Sequence, residues 1–534
     1  MNSSSKILVI GIDGATFKII NPLINKGKLP NISRIMANGV HGVLNSTIPT
    51  VSPVAWTSFI TGMNPGKHQI FDFFGKDYKS YKFKVNTAKD RKAIPVWMRL
   101  SELNKKVLIV GVTMTYPPDP VNGYMISGLG VPEGSDTKSW AYPPDFATEI
   151  INNIGKYEVV PKINLRRLNS SDKEKTNYLS GIFDQIENRV KIFKYMWQRD
   201  HFDFSMLFFL DSDGISHYFW KYMDCTHKQY QPGDYSDYIC KVYEKIDNAI
   251  GEVLSIINYD TEVILVSDHG FGPLNKVVFL NNWLVSKGYL KFKHVSLSEK
   301  LFSKINSLVR RKRFISKKEI DWKKTRAYFN GTVGNIFINL KDREPEGIVD
   351  SWESNNLCSS LQKDFENLVD PQTGEKIVDY VYKCEELFKS KDIPNAPDLV
   401  VVFKKGYGVV GEEIALHGLK DTGEIITDSK NWSGIHEPEG VFIAYGKNFK
   451  KGYTIQGTNI VDVTPTLLYY FGMPIPENMD GKLLKDIFID AFFKANPISY
   501  TKDALGFKVE LSEGYKEDES EEILERLRNL GYIE

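Results

Sequence analysis

Three short apolar runs in this sequence each end in residues that could bind a metal ion. Ile7 to Ile12 leads into Asp13-Gly14, Ser205 to Leu210 into Asp211-Ser-Asp213-Gly-Ile-Ser-His217, and Glu262 to Val266 into Ser267-Asp268-His269-Gly270. A further imidazole, His436, lies in Ser433-Gly-Ile-His-Glu-Pro-Glu-Gly440, just before the apolar run Val441 to Tyr445. Taken singly, each piece has a plain reading. Asp-Gly is a common turn, and Asp213 with His217 share a helical face but also fit an N-cap followed by a surface histidine. Asp268-His269 is more pointed, because two adjacent ligand-type side chains at a strand end have little use in packing. Together, three Asp and three His with no Lys or Arg in the same motifs would be costly to bury unless divalent ions balance them. The set predicts a dinuclear site, and mixed imidazole and carboxylate ligands suit Zn²⁺ or Mn²⁺ better than Ca²⁺ or Mg²⁺.

Two ions about 4 Å apart grip the attacking and leaving oxygens of a phosphoryl transfer, which then needs a nucleophile. In Thr47-Ile-Pro-Thr-Val-Ser-Pro-Val-Ala-Trp-Thr-Ser-Phe-Ile-Thr-Gly62, Ser52 stands directly before Pro53 and an apolar helical stretch. That is the pattern of an N-cap followed by a first-turn proline. The same geometry would present free N–H groups to phosphate oxygens and put the hydroxyl where a metal lowers its pKa. Capping and attack are compatible, and Ser52 is preferred over Ser58, Thr47 and Thr50 as nucleophile.

For these residues to converge, the apolar runs must be strands that end at one sheet edge, where open α/β sheets collect ligands. Ile7 to Ile12, Val107 to Val112, Ser205 to Leu210, Glu262 to Val266, Leu399 to Phe403 and Val441 to Tyr445 read as buried strands. Between them lie stretches of helical period around Ser33 to Met36, Tyr235 to Ile257 and Val461 to Phe471, which gives an α/β class with a largely parallel sheet. Strand-like runs thin out from Phe292 to Asn395 apart from Asn335 to Leu340, and a run resumes at Leu399. The expected organisation is a first part of the core over 1–291, with a smaller insertion near 133–199, and an inserted cap over 292–395 beside the site. A second part of the core over 396–490 and a helical extension over 491–534 follow. In the extension, Ile523, Leu524, Leu527 and Leu530 share one face ahead of Gly531.

Composition excludes several classes. Lys plus Arg (68) and Asp plus Glu (67) nearly cancel, so no global basic field recruits a nucleic-acid polymer, and an anionic substrate must be held locally. The cluster Arg310-Arg-Lys-Arg313, with Lys317 and Lys318, reads as a solvated surface of the insertion. Cys225, Cys240, Cys358 and Cys384 match no paired motif and read as reduced thiols of a cytoplasmic protein. No apolar run approaches a signal-peptide core or a membrane span. The expected partner is a small-molecule phosphoric ester; the sequence leaves the oligomeric state open.

The motifs in this order resemble the type I phosphodiesterase and nucleotide pyrophosphatase branch of the alkaline phosphatase superfamily, from about Lys6 to about Ile487. The resemblance rests on Gly11-Ile-Asp13-Gly14, Ser52 ahead of Thr61-Gly-Met-Asn-Pro-Gly-Lys-His68, the Asp213 to His217 pair, Asp268-His269-Gly270 and His436. Asp462-Val-Thr-Pro-Thr-Leu-Leu and Met479-Asp-Gly-Lys-Leu-Leu look like the family's last helix and closing loop. It implies an alkaline-phosphatase-like central sheet and a metal-dependent phosphoric ester hydrolase. It further implies one ion on Asp213, His217 and His436, and another on Asp13, Asp268, His269 and the Ser52 oxygen. Ser52 would form a phospho-enzyme that water then hydrolyses. Nucleotide pyrophosphatases carry Asn three residues after the nucleophile, whereas this chain has Ala55 followed by Trp56, so one oxyanion contact of that subgroup is missing. The sulfatase pattern is absent, since Pro53 follows Ser52 directly and no Arg comes after. A phosphomutase or phosphotransferase on the same site, and a noncatalytic binding protein on this scaffold, are the alternative readings.

Overall fold

The computed structural model describes residues 5–77, 80–132, 139–161, 168, 171–293, 317–390, 393–409, 419–420, 423–502 and 517–529. The chain divides into two compact units. The first takes the described parts of Met1–Ile70, Asn86–Pro273 and Asn431–Asn529; the second takes those of Phe71–Val85 and Leu274–Lys430. The expected cap boundary at 395 therefore falls inside the second unit, which also recruits an early segment of the chain. The basic cluster Arg310 to Arg313 and the helix stop at Gly531 lie outside the described residues.

The first unit is built on a ten-stranded mixed sheet. Its centre is five parallel strands in the order Thr261–Val266, Lys6–Ile12, Phe204–Phe209, Val107–Val112 and Gly123–Ser127. Four of the five are buried along nearly their whole length, which explains why they read as unbroken Val, Ile, Leu and Phe runs rather than as alternating patterns. Beyond Thr261–Val266 the sheet continues with Glu439–Tyr445, which is antiparallel to it, and then Val40–Asn45. Helices Pro30–Ala37, Tyr238–Ile256 and Val463–Tyr470 occupy the stretches of helical period. The C-terminal helix Glu517–Asn529 buries Ile523, Leu524 and Leu527, the face its spacing predicts. Among the described residues no helix is long and apolar enough to cross a membrane.

Leu399–Phe403 departs from the sequence reading. It joins a separate antiparallel sheet in the second unit, in the order Ala327–Phe329, Gly334–Ile338, Leu399–Phe403, Val378–Lys383. An apolar run reports that a strand is buried and not which sheet buries it. Here the partner is the other apolar run of that region, with Asn335 opposite Val400. Helix Ser351–Glu366 covers this sheet's core with Leu357, Cys358, Leu361 and Phe365, and the ion pair of Lys76 with Glu344 is wholly buried within the unit.

One buried carboxyl of the main sheet carries a prediction. Glu262, 1% exposed, accepts from the Asn448 N–H and Nδ2 through Oε1, while its Oε2 is buried with no hydrogen-bond partner. Burial pushes its pKa from 4.5 up to about 7, against the Asn448 hydrogen bonds. Below pH 4.5 the folded and unfolded chains both hold the proton. As pH rises towards 7 the unfolded chain releases it first, and folding loses up to about 3 kcal/mol. Glu262→Gln keeps an acceptor for Asn448 and abolishes this loss. Thermal melts should show the variant more stable than the parent at pH 8, with the gap closing by pH 5; a gap independent of pH would rule the explanation out.

Candidate metal centre

Lys6–Ile12, Phe204–Phe209 and Thr261–Val266 are parallel neighbours, so their carboxyl ends share one edge, and Asp13, Asp213 with its helix, and Asp268-His269 all emerge there. His436 reaches the same edge from the opposite direction. Its strand Gly434–Glu437 pairs antiparallel with Gly270–Pro273, with Phe271 opposite His436, and the chain then enters the antiparallel strand Glu439–Tyr445. Asp13, Ser52, Asp213, His217, Asp268 and His269 are all buried, and His436 is partly so. The plain readings of Asp213 and His217 do not hold, because both lie inside the buried face of helix Asp211–Met223.

The ligand atoms fall into two groups, Asp213 with His217 and His436, and Asp13 with Asp213 and His269; within each they lie inside 4.8 Å of one another. Asp213 Oδ1 is 3.4 Å from His217 Nε2, 3.1 Å from His436 Nε2 and 4.0 Å from His269 Nε2, so it faces both groups. His269 Nε2 is 3.5 Å from Asp13 Oδ1, 3.3 Å from Asp268 Oδ2 and 3.3 Å from Ser52 Oγ. All seven residues singled out in the sequence are thus brought to one place.

The three imidazoles are oriented alike. His217 Nδ1 lies 3.0 Å from the Gly434 carbonyl, His269 Nδ1 3.0 Å from that of Gly270, and His436 Nδ1 3.3 Å from that of Thr50. A carbonyl can only accept, so each Nδ1 donates and each ring turns its Nε2 inward. The Nε2 atoms of His217 and His436 face each other at 3.0 Å. Burial disfavours a second proton on His217, and burial together with the neighbouring charge of His436 lowers His269 well below the usual range.

The carboxylates show the same strain. Burial, reinforced by Asp268 and Asp213, holds Asp13 well above the normal carboxylate range despite hydrogen bonds from Trp56 and Ser52. Burial likewise pushes Asp268 up to about 7, although the Gly14 N–H donates to its Oδ1. Asp268 Oδ2 is buried with no hydrogen-bond partner. For Asp213 burial acts in the same direction but is outweighed by the two imidazoles beside it, which hold it well below the usual range. Converging imidazole Nε2 and carboxylate atoms, an orphaned Asp268 oxygen and imidazoles fixed through Nδ1 form a donor set that fits divalent cations.

Local sequence accounts for much of this placement. Gly14 has φ 66°, and a Cβ there would meet the Phe271 ring at 3.0 Å and Asp213 Cα at 3.3 Å. Ser212 Oγ donates to the Asp13 carbonyl at 2.6 Å, tying the second strand end to the first. Arg189, 1% exposed, reaches from helix Asp172–Arg199 to Asp211 at 2.6 Å, at the start of the helix that carries Asp213. Trp432 stacks on the His217 ring with centroids 3.7 Å apart. Gly14 and Ser212 lie inside the quoted motifs, whereas nothing in the sequence pattern marks Arg189 or Trp432.

Ser52 differs from expectation in one respect. It is the first residue of helix Ser52–Thr61, Val51 occupies the N-cap, and no side chain caps the helix. Pro53 has no N–H, and the Val54 and Ala55 N–H groups both donate to the Val51 carbonyl, so of the first-turn amides only that of Ser52 is not spent within the turn. The predicted cradle of free amides is therefore reduced to one. Ser52 Oγ instead donates to Asp13 Oδ1 at 3.2 Å. The other hydroxyls of the segment are engaged elsewhere. Thr47 and Thr50 donate to carbonyls of their own turn, and Ser58 faces His68 Nε2 at 2.8 Å. His68 Nδ1 accepts from the Ile70 N–H, so its Nε2 carries the proton and donates to Ser58. Burial lowers this His to about 3, and it is no base for Ser58.

Among solved structures, murine ectonucleotide pyrophosphatase/phosphodiesterase 5 is similar with TM-score 0.50 and 13% identity, over 88% of this chain and 95% of that one. An inactive variant of that mouse protein in complex with AMP matches to the same extent. Phosphonoacetate hydrolase of Sinorhizobium meliloti 1021 in complex with phosphonoformate is similar with TM-score 0.50 and 12% identity, over 86% of this chain and 94% of that one. These likenesses show the alkaline-phosphatase-like fold. No curated protein matches the chain. The type I phosphodiesterase/nucleotide pyrophosphatase family matches residues 7–423, a span that holds six of the seven predicted site residues, with His436 beyond it. The chain belongs to that family and is a phosphoester hydrolase.

Proposed function

We propose that the protein hydrolyses a small phosphoric mono- or diester through a phospho-enzyme on Ser52, at a centre that holds two divalent ions, Zn²⁺ or Mn²⁺. Asp213, His217 and His436 would hold one ion; Asp13, Asp268, His269 and the Ser52 oxygen would hold the other, with Asp213 Oδ1 between the two groups. The observation that carries this reading is the position of Ser52 Oγ, 3.2 Å from Asp13 and 3.3 Å from His269, beside two groups of converging ligand atoms. When bound, the ions lower the pKa of the serine hydroxyl and neutralise charge on the phosphoryl oxygens.

The chain's own residues do the rest. Asp13 Oδ1 accepts the Ser52 hydroxyl hydrogen bond and fixes the direction of Oγ. Attack forms the Oγ–P bond as the ester P–O bond breaks; the Ser52 hydroxyl proton passes to solvent, and the leaving oxygen takes one from it. Water then attacks phosphorus, the Oγ–P bond breaks, and Ser52 regains its proton. Ala55 stands where nucleotide pyrophosphatases carry Asn, so the residue pattern does not itself call for a nucleotide substrate. The mouse neighbour's complex with AMP and the bacterial neighbour's complex with phosphonoformate are consistent with a pocket for a compact phosphoryl group.

The test is a panel of chromogenic phosphate monoesters and diesters, assayed with Zn²⁺ and with Mn²⁺ and quenched for mass spectrometry. Turnover with phosphate or a phosphoester on Ser52 is expected. A metal-loaded protein that turns over none of the panel and is never modified at Ser52 would refute the proposal.

A further inference from the structure

The helix that carries Ser52 holds the Asp13 carboxylate by both oxygens. Ser52 Oγ donates to Oδ1 at 3.2 Å, and Trp56 Nε1 donates to Oδ2 at 3.1 Å. Residues 52 and 56 are one turn apart and lie on the same helical face. The indole is itself locked: it is fully buried, edge-on to Phe208 with centroids 4.9 Å apart and to Phe59 at 5.5 Å. Gly11 makes room for it, since a Cβ there would come within 2.9 Å of Trp56 Cη2 and 2.8 Å of the Phe208 ring. Asp13 is wholly buried and follows the strand without a break, its N–H bonded to the Phe209 carbonyl at 2.9 Å. Its main chain is fixed by the sheet, and its side-chain plane is fixed by Ser52 and Trp56.

We infer that Trp56 is a positioning residue that commits Asp13 to bind metal through Oδ1 alone, the oxygen it shares with Ser52 and turns toward His269. With Oδ2 engaged by the indole N–H, the carboxylate cannot rotate to embrace an ion with both oxygens. The ion is thereby held on the side of the nucleophile, and the helix that aims Ser52 also aims Asp13. A donor behind a ligating carboxylate typically changes metal affinity by about 10- to 100-fold. This inference rests on the metal-centre reading given above. It also supplies a chemical use for the residue next to Ala55, where the chain departs from the nucleotide pyrophosphatase pattern.

The test uses the full chain, stripped of metal and titrated with Zn²⁺ or Mn²⁺ against a competing chelator. Trp56→Phe keeps most of the ring contact and removes the N–H. It should weaken one of the two ions by about 10- to 100-fold and leave the other within about twofold. The weakened ion should be the one lost in Asp13→Asn and retained in His217→Ala. If Trp56→Phe does not fold, β-(3-benzothienyl)alanine at position 56, which replaces N–H by sulfur in a bicycle of similar shape, gives the same reading. Two unchanged affinities, or an equal loss at both ions, would overturn the inference, since a purely structural role would not single out one ion. If Asp13→Asn kept both ions at parental affinity, the assignment of Asp13 as a ligand would fall first, and the role of Trp56 with it.

Discussion

Replacing Ser52 by Ala is expected to lower kcat by on the order of 10³-fold or more while leaving a folded, metal-loaded protein. A loss of that size corresponds to about 4 kcal/mol of transition-state stabilisation. Lost packing cannot be its cause, because Ser52 is small and makes no helix cap. The substitution removes one hydroxyl that donates to Asp13 Oδ1 and lies 3.3 Å from His269 Nε2, and Asp13 keeps its Trp56 hydrogen bond. Stability should therefore change by no more than about 1 kcal/mol. Thr47, Thr50 and Ser58 cannot substitute, since each hydroxyl is committed elsewhere, the last to a histidine whose proton points the wrong way for a base. Steady-state kinetics, metal content and a melt of the same preparation settle the matter. If Ser52→Ala turned over substrate at nearly the parental rate with both ions bound, direct attack by water would replace the covalent route.

Much of this site was legible in the sequence because the chemistry and the fold use the same punctuation. In a parallel sheet every strand delivers its next residues to the same edge, so the polar residues that close the apolar runs had to meet. Asp13, Asp213 and Asp268-His269 follow from that rule alone. His436 was legible only through the family resemblance, since a residue ahead of a parallel strand would lie at the opposite edge; it reaches the site because Glu439–Tyr445 runs antiparallel. Tertiary pairing was less legible. Leu399–Phe403 has the composition of a central strand and is buried as one, yet it pairs with Gly334–Ile338 in the second unit's own sheet. Hydrophobicity fixes whether a strand is covered and leaves its partner to long-range geometry. The second unit's early segment, Phe71–Val85, was invisible for the same reason: its union with residues far along the chain depends on contacts such as Asp72 with Thr332 and Lys76 with Glu344, which no local pattern encodes.

The supporting residues around the ligands were hidden by a different cause. Trp56, Trp432 and Arg189 are residue types that ordinarily serve packing or surface charge, and nothing in their spacing marks them. Trp56 is the partial exception, because it sits one helical turn after Ser52 and so must share its face. Ser52 itself shows where local inference overreached. Ser-Pro ahead of an apolar helix is a capping signature, but the helix starts one residue earlier than that signature requires, and the hydroxyl is released from the backbone to face Asp13.

Removing divalent ions is expected to abolish turnover and to lower the melting temperature, both restored by adding back Zn²⁺ or Mn²⁺. The reason lies in what the metal-free site must bury. Asp13, Asp213 and Asp268 are all wholly or almost wholly buried, and their carboxylates converge with the imidazoles on one sheet edge. An ion that binds only the folded chain stabilises it by RT ln(1 + [L]/Kd), about 2.7 kcal/mol when it stands at a hundred times its Kd. Two such ions would make the loaded protein more stable by about 5 kcal/mol, enough for a clear separation of melting curves. Because Asp213 Oδ1 lies within 4.0 Å of all three imidazole Nε2 atoms, Asp213→Ala should weaken both ions, whereas His217→Ala should weaken one. Metal analysis of the two variants beside the parent, with melts at matched free-metal concentration, checks both statements. Fully active protein without bound divalent ions would remove the metal centre from the account, and an Asp213→Ala variant that lost a single ion would remove its shared role.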